Sequence, residues 1–187
     1  MQSIGSYSKS YSKIFSGIII MIKRAFLQSH ALFGGLSDEE IEDIIPLLRE
    51  ERFSKGECIV KEGEDGDRLY FLCEGSVEVL KEIHSPTGAV TVRLAALDEG
   101  DTFGEMELID IQPRSASVRA LDNVSTLTLS NKDMYEIYHN NLKAFTLIIM
   151  NIAREISRRL RRMDALVGSS LYSAPWNENR PAGRAER

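Results

Sequence analysis

Between Asp101 and Ala120 the chain reads DTFGEMELIDIQPRSASVRA, the stretch whose residue types and spacing could do chemistry. Gly104 opens the run Glu105-Met106-Glu107-Leu108, which can form one short helical turn entered through a glycine. Backbone amides at the start of such a turn point outward and make a small nest for an anion. Nine residues after Glu105 stands Arg114, preceded by Pro113 and followed by the strand-like alternation Ser115-Ala116-Ser117-Val118. An arginine at a strand's entry beside open amides builds a site for one phosphate, because its planar fork donates parallel hydrogen bonds. Glu105 is then an acceptor placed for sugar hydroxyls. The same residues also suit a surface Glu–Arg pair, which contributes about 0–1 kcal/mol. Residue chemistry alone leaves the two readings even.

The elements that must position these residues are short strands. From Arg52 to Leu129, strand-like runs occur at Glu57–Val60, Leu69–Cys73, Ser76–Lys81, Thr91–Ala95, Ser115–Leu121 and Ser125–Leu129. Glycines at 56, 63, 66, 75, 88 and 100 punctuate them. Many short strands at close, turn-marked spacing predict an all-β sandwich or barrel rather than alternating strand and helix.

Helical patterns flank this region. Residues 21–50 read as largely helical, and Ser37-Asp38-Glu39-Glu40 matches a capping box in which serine and glutamate satisfy each other's amides. Ile41, Ile44, Ile45 and Leu48 then share a face, and Pro46 bends or ends that helix. Beyond Leu129, Ser130 is placed to cap a helix through Met134, Ile137 and Tyr138. A longer helix is predicted from about Leu142 to Leu166. Its apolar positions Ile149, Ile152, Ile156, Leu160, Met163 and Val167 step by three or four residues. That spacing makes a seam for a partner helix, including a homodimer through 142–166, or for the domain's own barrel. Arg158, Arg159, Arg161 and Arg162 flank the seam, where cations suit a helix C-terminus and a solvated face.

Composition narrows the class. The 187 residues are 43% hydrophobic and 27% charged, with a net charge of −5, which opposes a dedicated nucleic-acid binder. Cys58 and Cys73 are too few to staple a secreted scaffold and are read as small apolar residues on strands. His30, His84 and His139 lie far apart, which argues against a metal site. Phe15–Ile22, FSGIIIMI, falls well short of the ~20 apolar residues needed to span a bilayer and is read as an arm or helix that packs on something. The stretch from Gly168 to Arg187, with its single Trp176, is expected to be disordered. There is no nucleophile–base signature, so a non-enzymatic, cytoplasmic protein without catalytic residues, metal or cofactor is expected.

FGEMELIDIQPRSASV resembles the phosphate-binding cassette of cyclic-nucleotide-binding domains, the module of Crp/Fnr-type regulators, protein kinase A regulatory subunits and cyclic-nucleotide-gated channels. The family pattern is Phe-Gly-Glu, an aliphatic residue, a small residue, Leu, then after four positions Pro-Arg, a small residue, Ala, and Ser or Thr. Phe103, Gly104, Glu105, Met106, Leu108, Pro113, Arg114, Ser115, Ala116 and Ser117 stand in that register. Glu107 occupies the slot of the small residue, and Asp110-Ile111-Gln112 lacks the glycine common in that loop. LFGGLSDEE, VKEGEDGDRLYFLCEGSVEV and the two closing helices extend the resemblance over about residues 30–166.

The resemblance implies a mainly β fold with flanking helices: a β-roll or jelly roll (a double-stranded β-helix) with N-terminal helices and a long C-terminal helix. Residues 1–29 would be an arm, 30–166 the cyclic-nucleotide-binding domain, and 167–187 a tail. It implies cAMP or cGMP as ligand, with Ser115 leaning toward cAMP. Arg114 would pair with the cyclic phosphate and Glu105 would accept from the ribose 2′-hydroxyl. Gly104, Ser115 and Ala116 would line the phosphate, Met106 would be a further ligand-binding residue, and Val79, Leu94 and Leu97 would face the base. Asp164, on the long helix, is the candidate for reading an adenine amino group. The expected role is a sensor with an effector protein downstream and no DNA-reading domain of its own. A module whose pocket has lapsed, with Glu107 in its favour, and a dimeric DNA-binding regulator are the alternatives.

Overall fold

The computed structural model describes residues 20–86, 88–110 and 112–173, the side chains of Glu107 and residues 169–173 excepted. Phe15 to Ile19 of the apolar arm, and Trp176 with its flanking tail, lie outside the described residues. Two compact units divide the chain after Asn151.

The first unit starts with a helix over residues 20–29 (α1), in which Leu27 is fully buried. A single 3-10 turn, Ala31–Phe33, leads to α2, Asp38–Ile44. Ser37 caps α2 through the predicted box: its Oγ accepts from the Glu40 amide at 3.2 Å, and Glu40 Oε2 accepts from the Ser37 amide at 2.7 Å. That amide and the Lys143 ammonium hold the Glu40 carboxyl below the usual carboxylate range. Pro46 ends the helix as expected, in a 3-10 turn over Ile45–Leu47. Ile41, Ile44, Ile45 and Leu48 are all buried.

Eight strands follow: β1 (Arg49–Phe53), β2 (Cys58–Val60), β3 (Arg68–Glu74), β4 (Val77–Ser85), β5 (Gly88–Leu97), β6 (Thr102–Phe103), β7 (Ser117–Ala120) and β8 (Val124–Ser130). They form two four-stranded antiparallel sheets, ordered β1-β8-β3-β6 and β2-β7-β4-β5. Each sheet therefore joins early strands to late ones, as a chain does when it winds around itself. Val60, Tyr70, Leu72, Val77, Phe103, Val118, Ala120 and Val124, drawn from both sheets, make one core cluster. A short helix, α3 (Met106–Asp110), interrupts the strands between β6 and β7. After β8, Ser130 caps α4 (Asn131–Asn140), its Oγ accepting from the Asp133 amide at 3.2 Å. Helix α5 then runs Leu142–Ser173, and no described helix is long and apolar enough to cross a membrane.

The departures from expectation have local causes. The helical region stops short of residue 50, because Pro46 breaks it and Leu48 is already extended. Strand β1 starts at Arg49, its charged residues hiding a pattern that pairing with β8 reveals. Strands β4 and β5 extend to Ser85 and from Gly88, a projecting hairpin with no core to impose apolar alternation. Cys73 is half-buried, and burial pushes its thiol up to about 11. Cys58 is instead exposed on the edge strand β2, so its apolar reading does not hold. In the second unit, α5 reaches Ser173 rather than Leu166. Its seam residues Leu160, Met163 and Val167 are exposed, while Ile152 is buried.

Phe71 joins the helices to the strands. It is fully buried in β3, 5.2–6.3 Å centroid to centroid from the rings of Phe26, His30 and Phe33. Truncation leaves a cavity among three rings that cannot all collapse inward. Phe71→Ala is expected to destabilise the chain by about 3–5 kcal/mol, read as a lowered urea midpoint at unchanged slope.

Candidate functional site

Arg114 is fixed first through its backbone. Its amide donates to the Glu64 carbonyl at 2.8 Å, and its carbonyl accepts from the Gly63 amide at 2.9 Å. The turn after β2 therefore holds the residue that precedes β7. Its side chain is directed into the protein and is only 6% exposed.

Two glycines leave the space for it. A Cβ at residue 66 would overlap the guanidinium itself. A Cβ at residue 104 would lie 2.6 Å from Arg114 Nη1 and 2.6 Å from the Arg68 carbonyl oxygen, and Gly104 also adopts φ +81°. Only glycine meets both demands at 104 without strain. Arg114 Nη2 donates to the Arg68 carbonyl at 3.0 Å, and its Cζ sits 5.8 Å from the Tyr70 ring centroid. Tyr70 in turn stacks on Phe103, with centroids 4.8 Å apart and planes 5° from parallel. Those two residues are register partners in β3 and β6, so the two-residue strand β6 serves to aim both Phe103 and Gly104. Burial pushes the Tyr70 phenol up, so the ring beneath the guanidinium stays neutral. A cation over that face is favoured by the ring's quadrupole.

The two ends of the chemical segment meet beside this arginine. Glu105 is 7% exposed, and Met106 opens α3. Ser115 Oγ lies 3.7 Å from Met106 Sδ, which closes the segment into a loop around Arg114. Ser115 is exposed and Ala116 half-buried at the entry to β7. A buried guanidinium, a buried carboxyl and a rim of small residues make a site for an anion that also bears hydroxyls.

The predicted residues divide into three groups. Gly104 meets Arg114 and Met106 meets Ser115, with Glu105 and Ala116 their neighbours in the chain. Val79 and Leu97 pack, partly buried, on the core cluster. Leu94 is 54% exposed and is not part of that packing; it is the extra residue at a bulge, since Val79 faces Ala95 and Leu80 faces Arg93. Asp164 is exposed on the part of α5 that belongs to the second unit. Glu107 belongs to α3 by its backbone, and its side chain is outside those described. Sequence reasoning missed Gly66 and Tyr70. Gly66 reads as a turn marker in EGEDGD, and nothing in its neighbourhood announces that a side chain forty-eight positions on will need its space.

The chain is similar in sequence and in fold to known proteins. The family model described as cyclic nucleotide-binding domain matches residues 50–141. A cAMP-dependent protein kinase regulatory subunit from Debaryomyces hansenii is 39% identical over 104 residues, 56% of this chain and 22% of that protein. The cyclic AMP receptor protein of Thermus thermophilus is 30% identical over 138 residues, 74% of this chain and 61% of that protein. The chain thus spans less than two thirds of the length of either relative. Among solved structures, a cyclic nucleotide-binding domain from Methylobacillus flagellatus superposes with TM-score 0.71 at 25% identity, covering 80% of this chain and 83% of the other.

The glycine at 66 gives a test of the packing that needs no ligand. Gly66→Ala is expected to cost about 1–3 kcal/mol, because its methyl must displace the guanidinium. Adding Arg114→Ala frees that space, so the double variant should be more stable than Gly66→Ala alone in urea unfolding. Additive losses would mean that the guanidinium does not occupy the space at 66.

Proposed function

Residues 50–141 are a domain of the cyclic nucleotide-binding family, and from that premise we propose that this chain is a sensor whose ligand is a cyclic nucleotide, cAMP in the first place. The observation that carries the reading is Arg114, held between Gly66 and Gly104 over Tyr70, with a buried Glu105 next after Gly104 in the chain. In this reading the guanidinium pairs with the cyclic phosphate, and Gly104, Met106, Ser115 and Ala116 line it. Glu105 accepts from the ribose 2′-hydroxyl, and Val79 and Leu97 offer the base an apolar wall, with Leu94 at its rim. A cyclic phosphodiester carries one negative charge, which matches one arginine.

Binding becomes a signal if it moves something. Helix α5 begins on the first unit through contacts that a small shift would break. Asn151 Nδ2 donates to the carbonyls of Leu32 and Gly34 at 3.0 Å each, and Lys143 pairs with Glu40 at 2.9 Å. Ala144 and Ile148 are buried on the same face. A ligand that favours one arrangement of the cassette biases these contacts, and differential affinity for two arrangements is all that switching requires. The exposed Leu160, Met163 and Val167 support a second copy or an effector protein as the receiver of that shift.

Isothermal titration with cAMP and separately with cGMP tests the reading. Micromolar or tighter binding is expected, with cAMP preferred. Arg114→Lys keeps the charge and loses the fork, so affinity should fall by at least about tenfold, or ~1.4 kcal/mol. Folded protein that gives no heat with either nucleotide would sink the reading and favour a lapsed pocket.

A further inference from the structure

The nucleotide reading leaves unused a polar cluster on the outer side of the cassette. Glu62, just past β2, touches three other residues. Its amide donates to Ser117 Oγ at 2.9 Å. Its Oε1 accepts from Lys81 Nζ at 2.6 Å, and its Oε2 accepts from the Glu82 amide at 3.0 Å. Lys81 Nζ, from β4, also donates to the Ser115 carbonyl at 2.7 Å. Lys81 thus ties β4 directly to Ser115, and Glu62 links β4 to Ser117, so both neighbours of Ala116 are held. The Glu82 amide and the Lys81 ammonium hold the Glu62 carboxyl below the usual carboxylate range.

The contact to Ser115 has a geometric consequence. A peptide unit is planar and trans, so its carbonyl and the following amide point in opposite directions. Holding the Ser115 carbonyl toward Lys81 therefore aims the Ala116 N–H away from it. We propose that Lys81 and Glu62 are positioning residues that fix the Ser115–Ala116 peptide plane and so orient the Ala116 amide toward the bound phosphate. Lys81 sets the plane; Glu62 sets Lys81. The proposal rests on the nucleotide reading for its ligand but not for the latch itself.

The test uses the full chain with Lys81→Met, Glu62→Gln and Lys81→Arg. Two quantities are read: cAMP affinity, and amide exchange over residues 113–118 in the ligand-free protein. Lys81→Met should weaken binding roughly three- to tenfold and speed exchange at Ala116, with melting temperature nearly unchanged. Glu62→Gln should do the same to a smaller degree, and Lys81→Arg, which still donates, should restore both. Unchanged affinity in Lys81→Met, or weakened affinity with unchanged exchange, would overturn the proposal; the latter would mean that the lysine acts on the ligand by charge alone. If the unaltered chain binds no nucleotide, the functional reading fails, and exchange alone then judges the latch: faster in Lys81→Met supports it, unchanged overturns it.

Discussion

The candidate site exists because a guanidinium has been taken out of water and housed where two side chains are missing. Removing a charge from solvent costs several kcal/mol, and that cost is met only by well-aimed polar partners. Arg114 receives one from the Arg68 carbonyl and a neutral aromatic face from Tyr70. Each partner imposes a further demand: Tyr70 needs Phe103 beneath it, Phe103 needs β6, and Gly104 must turn immediately after. The two-residue strand and the left-handed glycine are consequences of where one cation sits.

This dependence explains what could be read from the chain and what could not. The cassette was readable because its parts lie within fourteen residues, Phe103 to Ala116, at fixed spacing. The capping boxes at Ser37 and Ser130 were readable for the same reason, since each is closed by a residue three positions on. Most strand positions followed from alternation and glycine punctuation. What escaped is non-local. Strand β1 declares itself only against β8, and Gly66 only against Arg114. The contact of Lys81 with Ser115 spans thirty-four positions and joins residues that look like ordinary surface. Leu94 was expected at the base from the resemblance alone, and the bulge that makes it the extra residue of β5 also depends on a pairing with β4 that the sequence does not show.

The helices and the strands answer to different constraints. The N-terminal helices are fixed by aromatic packing around Phe71, by the Ser37–Glu40 capping box and by the Arg24–Glu42 ion pair. The start of α5 is fixed by hydrogen bonds from Asn151 and an ion pair at Lys143, which can exchange with water. The aromatic packing resists a change in volume, whereas the polar contacts that seat the start of α5 on the N-terminal region can exchange with water at low cost.

Joining early strands to late ones also sets an order of events during synthesis. Arg49 pairs with Thr128, so the first strand waits for the last before the β1-β8-β3-β6 sheet can close. Loop-closure entropy must be met before such distant pairings stabilise anything, and folds dominated by them form slowly. On a ribosome, β1 and β3 emerge without their shared partner β8, while the edge strand β5 offers its unpaired side with Val90 and Val92 exposed. The nascent chain is therefore most prone to mispairing at β1 and β3 in the interval before residue 130 has left the exit tunnel.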